Sequence, residues 1–190
     1  MSTRMVKGVQ VPVAGAWKLD PGHAEVGFVG RHFMFSRIRG RFTRVEATIV
    51  IGEDPLDSHV EAVIDMSSVD SGDAARDDHL RSADHFDVKQ YETATFRSRS
   101  VEWDGGTSGR LHGDLTIKGV TRPITLDVDY LGFACDPWGN EKVAFSARGV
   151  IDRTDFGLTW NMVLDTGNLL VSRKIELVLD FEAVRERPGA

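Results

Sequence analysis

Cysteine is nearly absent from this chain, with one residue among 190. A single cysteine excludes an internal disulfide framework and a structural zinc site built only from cysteines. Proline is sparse, at six residues, and the prolines fall at predicted turns or strand starts, where a missing N–H does no harm. Long apolar runs are missing as well, so the sequence predicts no transmembrane helix.

Motifs for common catalytic and metal chemistries are missing too. The chain holds no G-x-S-x-G elbow, no P-loop, no G-x-G-x-x-G and no H-E-x-x-H. Cys135 lies in a predicted turn without a base beside it. His79 and His85 are spaced so that they do not share one helical face. The sequence therefore predicts no catalytic residue and no metal site.

The N-terminal segment lacks the apolar core of a secretory signal. Arg4 and Lys7 could open such a signal, but Gly8, Gln10 and Pro12 interrupt the apolar residues around them. We therefore expect a cytoplasmic protein.

The charge balance is acidic, with 23 basic and 29 acidic residues and a net charge of −6. This balance argues against a nucleic-acid partner, which requires a concentrated basic surface. One patch is an exception, because five arginines alternate with aromatic residues: Arg31, Arg37, Arg39, Arg41 and Arg44, with Phe33, Phe35 and Phe42. The patch fits a transient contact with an anionic lipid surface, or simply a solvated strand face with an aromatic rim.

What the chain has in abundance is period-two alternation of apolar and polar residues. The runs include Val45–Ile51, Val60–Ile64, Leu111–Ile117, Ile124–Tyr130, Val143–Ile151 and Ile175–Ala183. Such runs are typical of antiparallel strands with one apolar face, and turn residues separate them. We predict an all-β fold in which about eight strands close into a barrel, with a two-sheet sandwich as the alternative.

One segment does not alternate. Residues 73–86 place Leu80, Ala83 and Phe86 three apart, which predicts a short helix, capped by Ser71 or Asp73, with these three residues facing the sheet. We expect one domain over residues 15–184, with flexible termini at 1–14 and 185–190. Residues 152–170 are too mixed to assign.

Small residues recur on the apolar strand faces, among them Gly30, Ala62, Gly113 and Gly149. They favour a hollow barrel over a filled one, although tapers of packing or β-bulges would use the same residues.

Several segments resemble the YceI-like family. They are W-K-L-D-P-G-H-A-E-V-G-F (17–28), R-I-R-G-R-F (37–42), H-L-R-S-A-D-H-F-D (79–87), G-D-L-T-I-K-G-V-T-R-P-I-T-L (113–126) and F-S-A-R-G-V-I-D-R-T-D-F-G-L (145–158). The resemblance covers about residues 15–184 in order. The chain differs from the family pattern at V-S-R-K-I (171–175), where an acidic pair is expected. It also has Phe33-Met34 after His32, where Met is more usual.

The resemblance implies a lipocalin-like extended antiparallel barrel with a helix near one end and an elongated apolar cavity. It also implies long-chain amphiphilic ligands: polyisoprenoids, isoprenoid quinones or fatty-acid-like molecules. Many similar proteins are periplasmic and carry a signal peptide, and some form homodimers. A bound isoprenoid or isoprenoid quinone is the only cofactor-like molecule that we expect.

The predicted function is to carry or store a long-chain lipid without chemistry. Its tail would lie against Phe28, Ala47, Ile49, Ala62, Ile64, Phe96, Leu115, Ile117, Leu126, Val128, Phe145, Ala147, Leu177 and Leu179. His32, Arg76 and Arg153 are the candidates for contacting a polar head group. Two alternatives remain: a hydrolase or isomerase acting on an apolar substrate, and a stress-protective protein without a ligand.

Overall fold

The computed structural model describes residues 3–165 and 170–186. Twelve strands lie in these ranges: β1 (Thr3–Val6), β2 (Val9–Pro12), β3 (Gly15–His32), β4 (Ser36–Phe42), β5 (Val45–Ile51), β6 (His59–Asp65), β7 (Val69–Asp70), β8 (Thr93–Glu102), β9 (Ser108–Ile117), β10 (Val120–Cys135), β11 (Glu141–Asp152) and β12 (Lys174–Arg185). They are joined by the helix α1 (Ala74–Arg81) and by 3₁₀ turns at Pro55–Asp57, Met66–Ser68 and Arg153–Phe156.

Eight of these strands form a closed antiparallel barrel in the order β3-β5-β6-β8-β9-β10-β11-β12, with β12 pairing back onto β3. The long strand β3 makes the closure possible. One edge pairs with β12, while the other pairs first with β5 and then with β4. The predicted barrel is thus confirmed against the sandwich, and closure leaves few strand edges open to other chains.

The predicted helix exists but is shorter than 73–86. Asp73 caps α1, because its side chain accepts a hydrogen bond from the Arg76 N–H at 2.9 Å. The helix ends at Arg81, since Ser82 takes an extended conformation and the chain then folds back, with the Phe86 N–H donating to the Leu80 carbonyl at 2.9 Å. Leu80 and Phe86 face the barrel core, but Ala83 is exposed, so the prediction for Ala83 was wrong.

Residues 3–12, which lie within the terminus predicted to be flexible (1–14), form a hairpin. β1 pairs with β2 around a turn in which Lys7 and Gly8 both have positive φ, at 48° and 78°. This combination is the signature of a type I′ turn, so the Lys7-Gly8 pair was a sequence signal for the hairpin. At the other terminus β12 continues through Arg185. Residues 187–190 of the predicted flexible tail lie outside the described ranges.

The buried apolar residues of the barrel form two clusters. Trp17, Val143 and Ala183 centre the smaller cluster, and they are fully or almost fully buried. The larger cluster runs along the wall from Ile64 and Phe96 to Phe156 and Leu158. Among the described helices, none is both long and apolar enough to cross a membrane.

Glycines on the inner wall create room for neighbouring side chains. A Cβ atom on Gly113 would lie 2.5 Å from Cζ of Phe96 and 2.6 Å from the Arg97 carbonyl oxygen. The Phe28 ring lies against Gly40 in the same way. Because these rings pack against glycines, they lie close to the wall and leave more of the interior of the barrel open.

Candidate functional site

The barrel encloses a cavity of about 640 Å³. Its lining extends from Ser71, His85 and Trp160 at the end beside α1 to Val11 and Trp103 at the end beside the β1–β2 hairpin. Apolar side chains make up most of the wall, as in sites that enclose apolar ligands. We call the two ends of the cavity the α1 end and the hairpin end.

Every residue predicted from the sequence as a wall or head-group contact lines this cavity. The apolar ones are Phe28, Ala47, Ile49, Ala62, Ile64, Phe96, Leu115, Ile117, Leu126, Val128, Phe145, Ala147, Leu177 and Leu179. Cross-strand pairing brings them together: Ala47 is opposite Ala62, Ala62 opposite Phe96, and Phe96 opposite Leu115. Because directly opposed residues share one face of a sheet, the apolar stripes of separate strands merge into one surface.

The α1 end holds a cluster of three rings that the sequence did not predict. The His79 ring centroid lies 4.8 Å from that of His85 and 4.6 Å from that of Trp160, and His85 lies 5.2 Å from Trp160. Nε2 of His79 also lies 3.0 Å from Oδ2 of Asp84. The spacing of His79 and His85 excludes a shared face only on a continuous helix, and α1 ends between them. The Ser82 to Phe86 turn then brings His85 back beside His79.

His85 is neutral at physiological pH. Burial, the largest cause, and the neighbouring His79 and Arg153 together lower its pKa from the usual 6.5 to about 4. A neutral imidazole can both donate and accept a hydrogen bond inside a dry cavity. The α1 end therefore offers an uncharged polar group beside an aromatic surface.

Arg153 lines the cavity, but most of its donors are already bound to the protein. Its guanidinium donates to the carbonyl oxygens of Leu158, Trp160 and Ser172, the last two at 2.9 Å. These bonds fasten the chain that follows β11 to the barrel. Burial lowers the pKa of Arg153, although a guanidinium stays protonated near neutral pH. Arg153 is predicted to bind the head group directly. Because its donors bind backbone carbonyls, it contributes mainly positive potential at the α1 end.

Arg76 is held differently, and part of its guanidinium is free to reach a ligand. Its Nε donates to Oγ of Ser71 and its Nη2 to the Ser71 carbonyl, both at 2.8 Å. Ser71 in turn donates to the buried carboxylate of Asp77, with Oγ at 2.5 Å from Oδ1. Nη1 of Arg76 makes no hydrogen bond within the described residues. His32 also lines this end, and its ring lies 4.1 Å from the ring of Phe33.

The lining residues with a fixed charge are all arginines: Arg31, Arg76, Arg110 and Arg153. Of these, Arg31 lies on the outward face of β3 and Arg110 pairs with Glu102 and Asp127, so Arg76 and Arg153 carry the charge at the α1 end. His32, His79 and His85 also line the cavity, whereas no aspartate or glutamate of the described residues does. The interior is therefore suited to a neutral or anionic amphiphile and unsuited to a cationic one. It also lacks, within the described part of the chain, the carboxylate pair on which glycosidases and many acid–base enzymes depend.

The β1–β2 hairpin closes the hairpin end. Val11 and Pro12 are buried and contribute to the cavity lining. The Arg4 guanidinium binds the carbonyl oxygens of Gly52 and Glu53, and Nζ of Lys7 lies 5.3 Å above the Trp103 ring. The hairpin is thus attached both to the loop after β5 and to the loop after β8.

One group of possible metal ligands lies outside the cavity lining. Asp20, His23 and Glu182 place ligand atoms close together. Nζ of Lys142 lies 2.7 Å from Asp20 and 2.9 Å from Glu182, which lowers the pKa of Asp20 and raises that of Lys142. The ammonium group already supplies the positive charge here, so the geometry describes a surface ion-pair network.

Residues 17–183 match the YceI-like domain family. This chain belongs to the YceI-like family. It is 37% identical over 178 residues to Protein YceI of Escherichia coli O157:H7, a match that covers 92% of this chain and 90% of that protein. The β1–β2 hairpin precedes the matched residues, so this closure of the hairpin end lies outside the segment that defines the YceI-like domain.

Solved structures share the YceI-like fold. The Campylobacter jejuni YCEI protein is 30% identical, with a TM-score of 0.71 over 83% of this chain and 90% of that one. BcnA of Burkholderia cenocepacia, at 24% identity, has a TM-score of 0.76 over 86% of this chain and 98% of that one. A polyisoprenoid binding domain from Saccharophagus degradans, at 16% identity, has a TM-score of 0.63 over 92% of this chain and 100% of that one.

Proposed function

We propose that this protein binds an amphiphile with a long apolar chain inside the barrel and carries or stores it. The tail lies along the apolar wall, and the head group lies at the α1 end. The observation that carries the proposal is the cavity of about 640 Å³, which joins a continuous apolar wall to buried polar groups at one end. The polyisoprenoid binding domain of similar fold supports a ligand of the isoprenoid class.

The binding energy comes from the tail. Burying each methylene group contributes about 0.8 kcal/mol, so ten carbons contribute about 8 kcal/mol before the costs of ordering and association. The head group then selects among tails of similar length. Arg76 and the neutral His85 offer hydrogen bonds to an oxygen-bearing head, and the Trp160 ring offers an aromatic surface. A free alcohol, a quinone ring and an anionic head all meet these requirements.

Binding without chemistry is the simpler interpretation of the cavity. His79 and His85 could exchange protons, but neither nearby serine hydroxyl donates to their rings: Ser71 Oγ donates to the Asp77 carboxylate and Ser82 Oγ donates to the His79 carbonyl. Cys135 is exposed at the end of β10 and does not line the cavity. We therefore propose a binding protein and not an enzyme.

Native mass spectrometry of protein purified from its own host, followed by lipid extraction, tests the proposal. We expect one long-chain species at close to one molecule per chain, with the same mass before and after incubation with the protein. A change in its mass during incubation would support an enzyme. If the protein carries no lipid and takes up no dodecyl or prenyl alcohol, the proposal is contradicted and the alternative of a stress-protective protein without a ligand is supported.

A further inference from the structure

Exposed apolar side chains cluster at the turn between β3 and β4. Phe33, Met34 and Phe35, which we call the β3–β4 tip, are all exposed, and Phe35 is 83% accessible. Phe33 and Met34 have positive φ values of 51° and 64°, which side chains other than glycine adopt infrequently. Because the backbone holds apolar side chains outward in a strained turn, their exposure calls for a functional explanation.

A second exposed apolar segment lies beside the tip. Met162 and Val163 are both exposed large hydrophobic residues. Two backbone hydrogen bonds connect the segments: the Phe33 N–H donates to the Leu170 carbonyl, and the Leu170 N–H donates to the Met162 carbonyl, both at 2.9 Å. The two segments therefore present one apolar projection at the α1 end of the barrel.

Arginines follow this projection along β3 and β4. The outward faces of β3 and β4 carry Arg31, Arg37, Arg39 and Arg41, in a chain whose net charge is −6. Arg37 pairs with Glu176 at 2.5 Å and Arg41 with Asp70 at 3.1 Å. Arg31 and Arg39 form no ion pair with any described residue. The local excess of arginine is thus only partly neutralised.

The apolar projection also leads into the cavity. Arg31, His32, Leu170 and Val171 line the cavity at the same end, and the His32 ring contacts Phe33. A lipid that leaves a bilayer beside the tip would meet the cavity lining without first crossing bulk water.

We propose that the β3–β4 tip docks onto a lipid bilayer that contains anionic lipids. The apolar side chains enter the interface between head groups and acyl chains, and the arginines bind the negative surface. Neither contact is strong alone, but apolar insertion and basic attraction together give stable and reversible membrane binding. Docking goes beyond lipid binding in the cavity, because the tip reaches the bilayer whether or not the barrel is loaded.

Vesicle flotation tests this docking. Wild-type protein is mixed with phosphatidylcholine vesicles, with or without about 30% phosphatidylglycerol. We expect flotation only with the anionic vesicles, and less of it at high salt because salt screens the arginines. Phe35→Ser and Arg39→Glu should each reduce the bound fraction about tenfold.

The chain offers matched controls for both substitutions. Trp138 is 83% accessible, the same as Phe35, but lies in the turn after β10. Arg97 is an exposed arginine on β8. Trp138→Ser and Arg97→Glu should float like the wild type. Equal losses in these controls, or absence of flotation in the wild type, would overturn the proposal.

Two further measurements separate docking from its alternatives. Light scattering would reveal a dimer that Phe35→Ser converts to monomers, and this result without flotation would assign the tip to a second copy of the chain. Native mass spectrometry of Phe35→Ser should show normal lipid occupancy when the lipid is supplied in detergent. If the cavity proves empty in every preparation while flotation persists, the proposed lipid carriage fails and membrane docking stands.

Discussion

A bulky side chain on the cavity wall should strongly weaken ligand binding while the barrel stays intact. Ala147 is buried on the inner face of β11, opposite Leu179 on one side and Val128 on the other. Replacing it with tryptophan directs an indole ring into the space proposed for the tail. If the ring displaces about four methylene groups, the loss is about 3 kcal/mol, which weakens binding by roughly 150-fold.

The matched control is Ala144→Trp. Ala144 lies three residues earlier on β11, pairs with Gly132 and does not line the cavity. Both variants are titrated with a fluorescent long-chain alcohol, and their folding is checked by circular dichroism and thermal unfolding. Ala144→Trp should bind like the wild type, whereas Ala147→Trp should show almost no saturable binding.

One specific result would contradict this position of the tail. If Ala147→Trp retains its melting temperature and the affinity of the wild type, the tail does not pass this wall and the ligand lies elsewhere. If Ala147→Trp loses both stability and binding, Ala147→Leu is tested in its place, because leucine adds less volume. Ala147→Leu should weaken binding in proportion to the number of methylene groups that it displaces.

Three further predictions concern stability. Since the pKa of His85 is about 4 when folded and 6.5 when unfolded, its contribution is complete above pH 6.5 and is lost as the pH falls towards 4. The free energy of unfolding of the wild type, relative to His85→Gln, should therefore drop by about 2 to 3 kcal/mol between pH 7 and 4.5 in urea titrations, and an equal pH dependence in both proteins would contradict the shift. Arg153→Met should destabilise the fold by about 3 kcal/mol or more, because buried carbonyls lose their donors, with Arg153→Lys recovering only part of the loss; an unchanged midpoint would show that the loop needs no such attachment. Gly113→Ala should cost about 1–3 kcal/mol by steric contact with Phe96 and Arg97, whereas Gly22→Ala, where the Cβ would lie 3.4 Å from its nearest neighbour, should be close to neutral.

Much of the wall could be predicted because side-chain orientation in a strand is a local property. Alternation places Ala47, Phe96 and Leu115 each on the apolar face of its own strand, whichever strands pair with it. A soluble strand with one apolar face must bury that face, so these residues had to meet in an interior. The family resemblance then specified a barrel with a cavity.

The α1 end could not be predicted in the same way. His79, His85 and Trp160 come from a helix, a turn and the segment after β11, and no local pattern relates them. Arg153 lines the cavity, but only the folded loop shows that its donors bind backbone carbonyls. The hairpin before Gly15 was missed although Lys7-Gly8 marks its turn, because two strands of four residues give little alternation to detect.

The sequence by itself therefore determined the long strands of the barrel, their inner faces and the family, because each depends on short-range patterns of side chains. Only the tertiary structure decided that the barrel is open inside, where rings such as that of Phe96 pack against glycines such as Gly113. It alone also placed positive and neutral polar groups at one end of the cavity, beside the exposed apolar tip. The physical reason is that the space left between side chains, and the charges that face it, depend on how distant segments pack when the barrel closes.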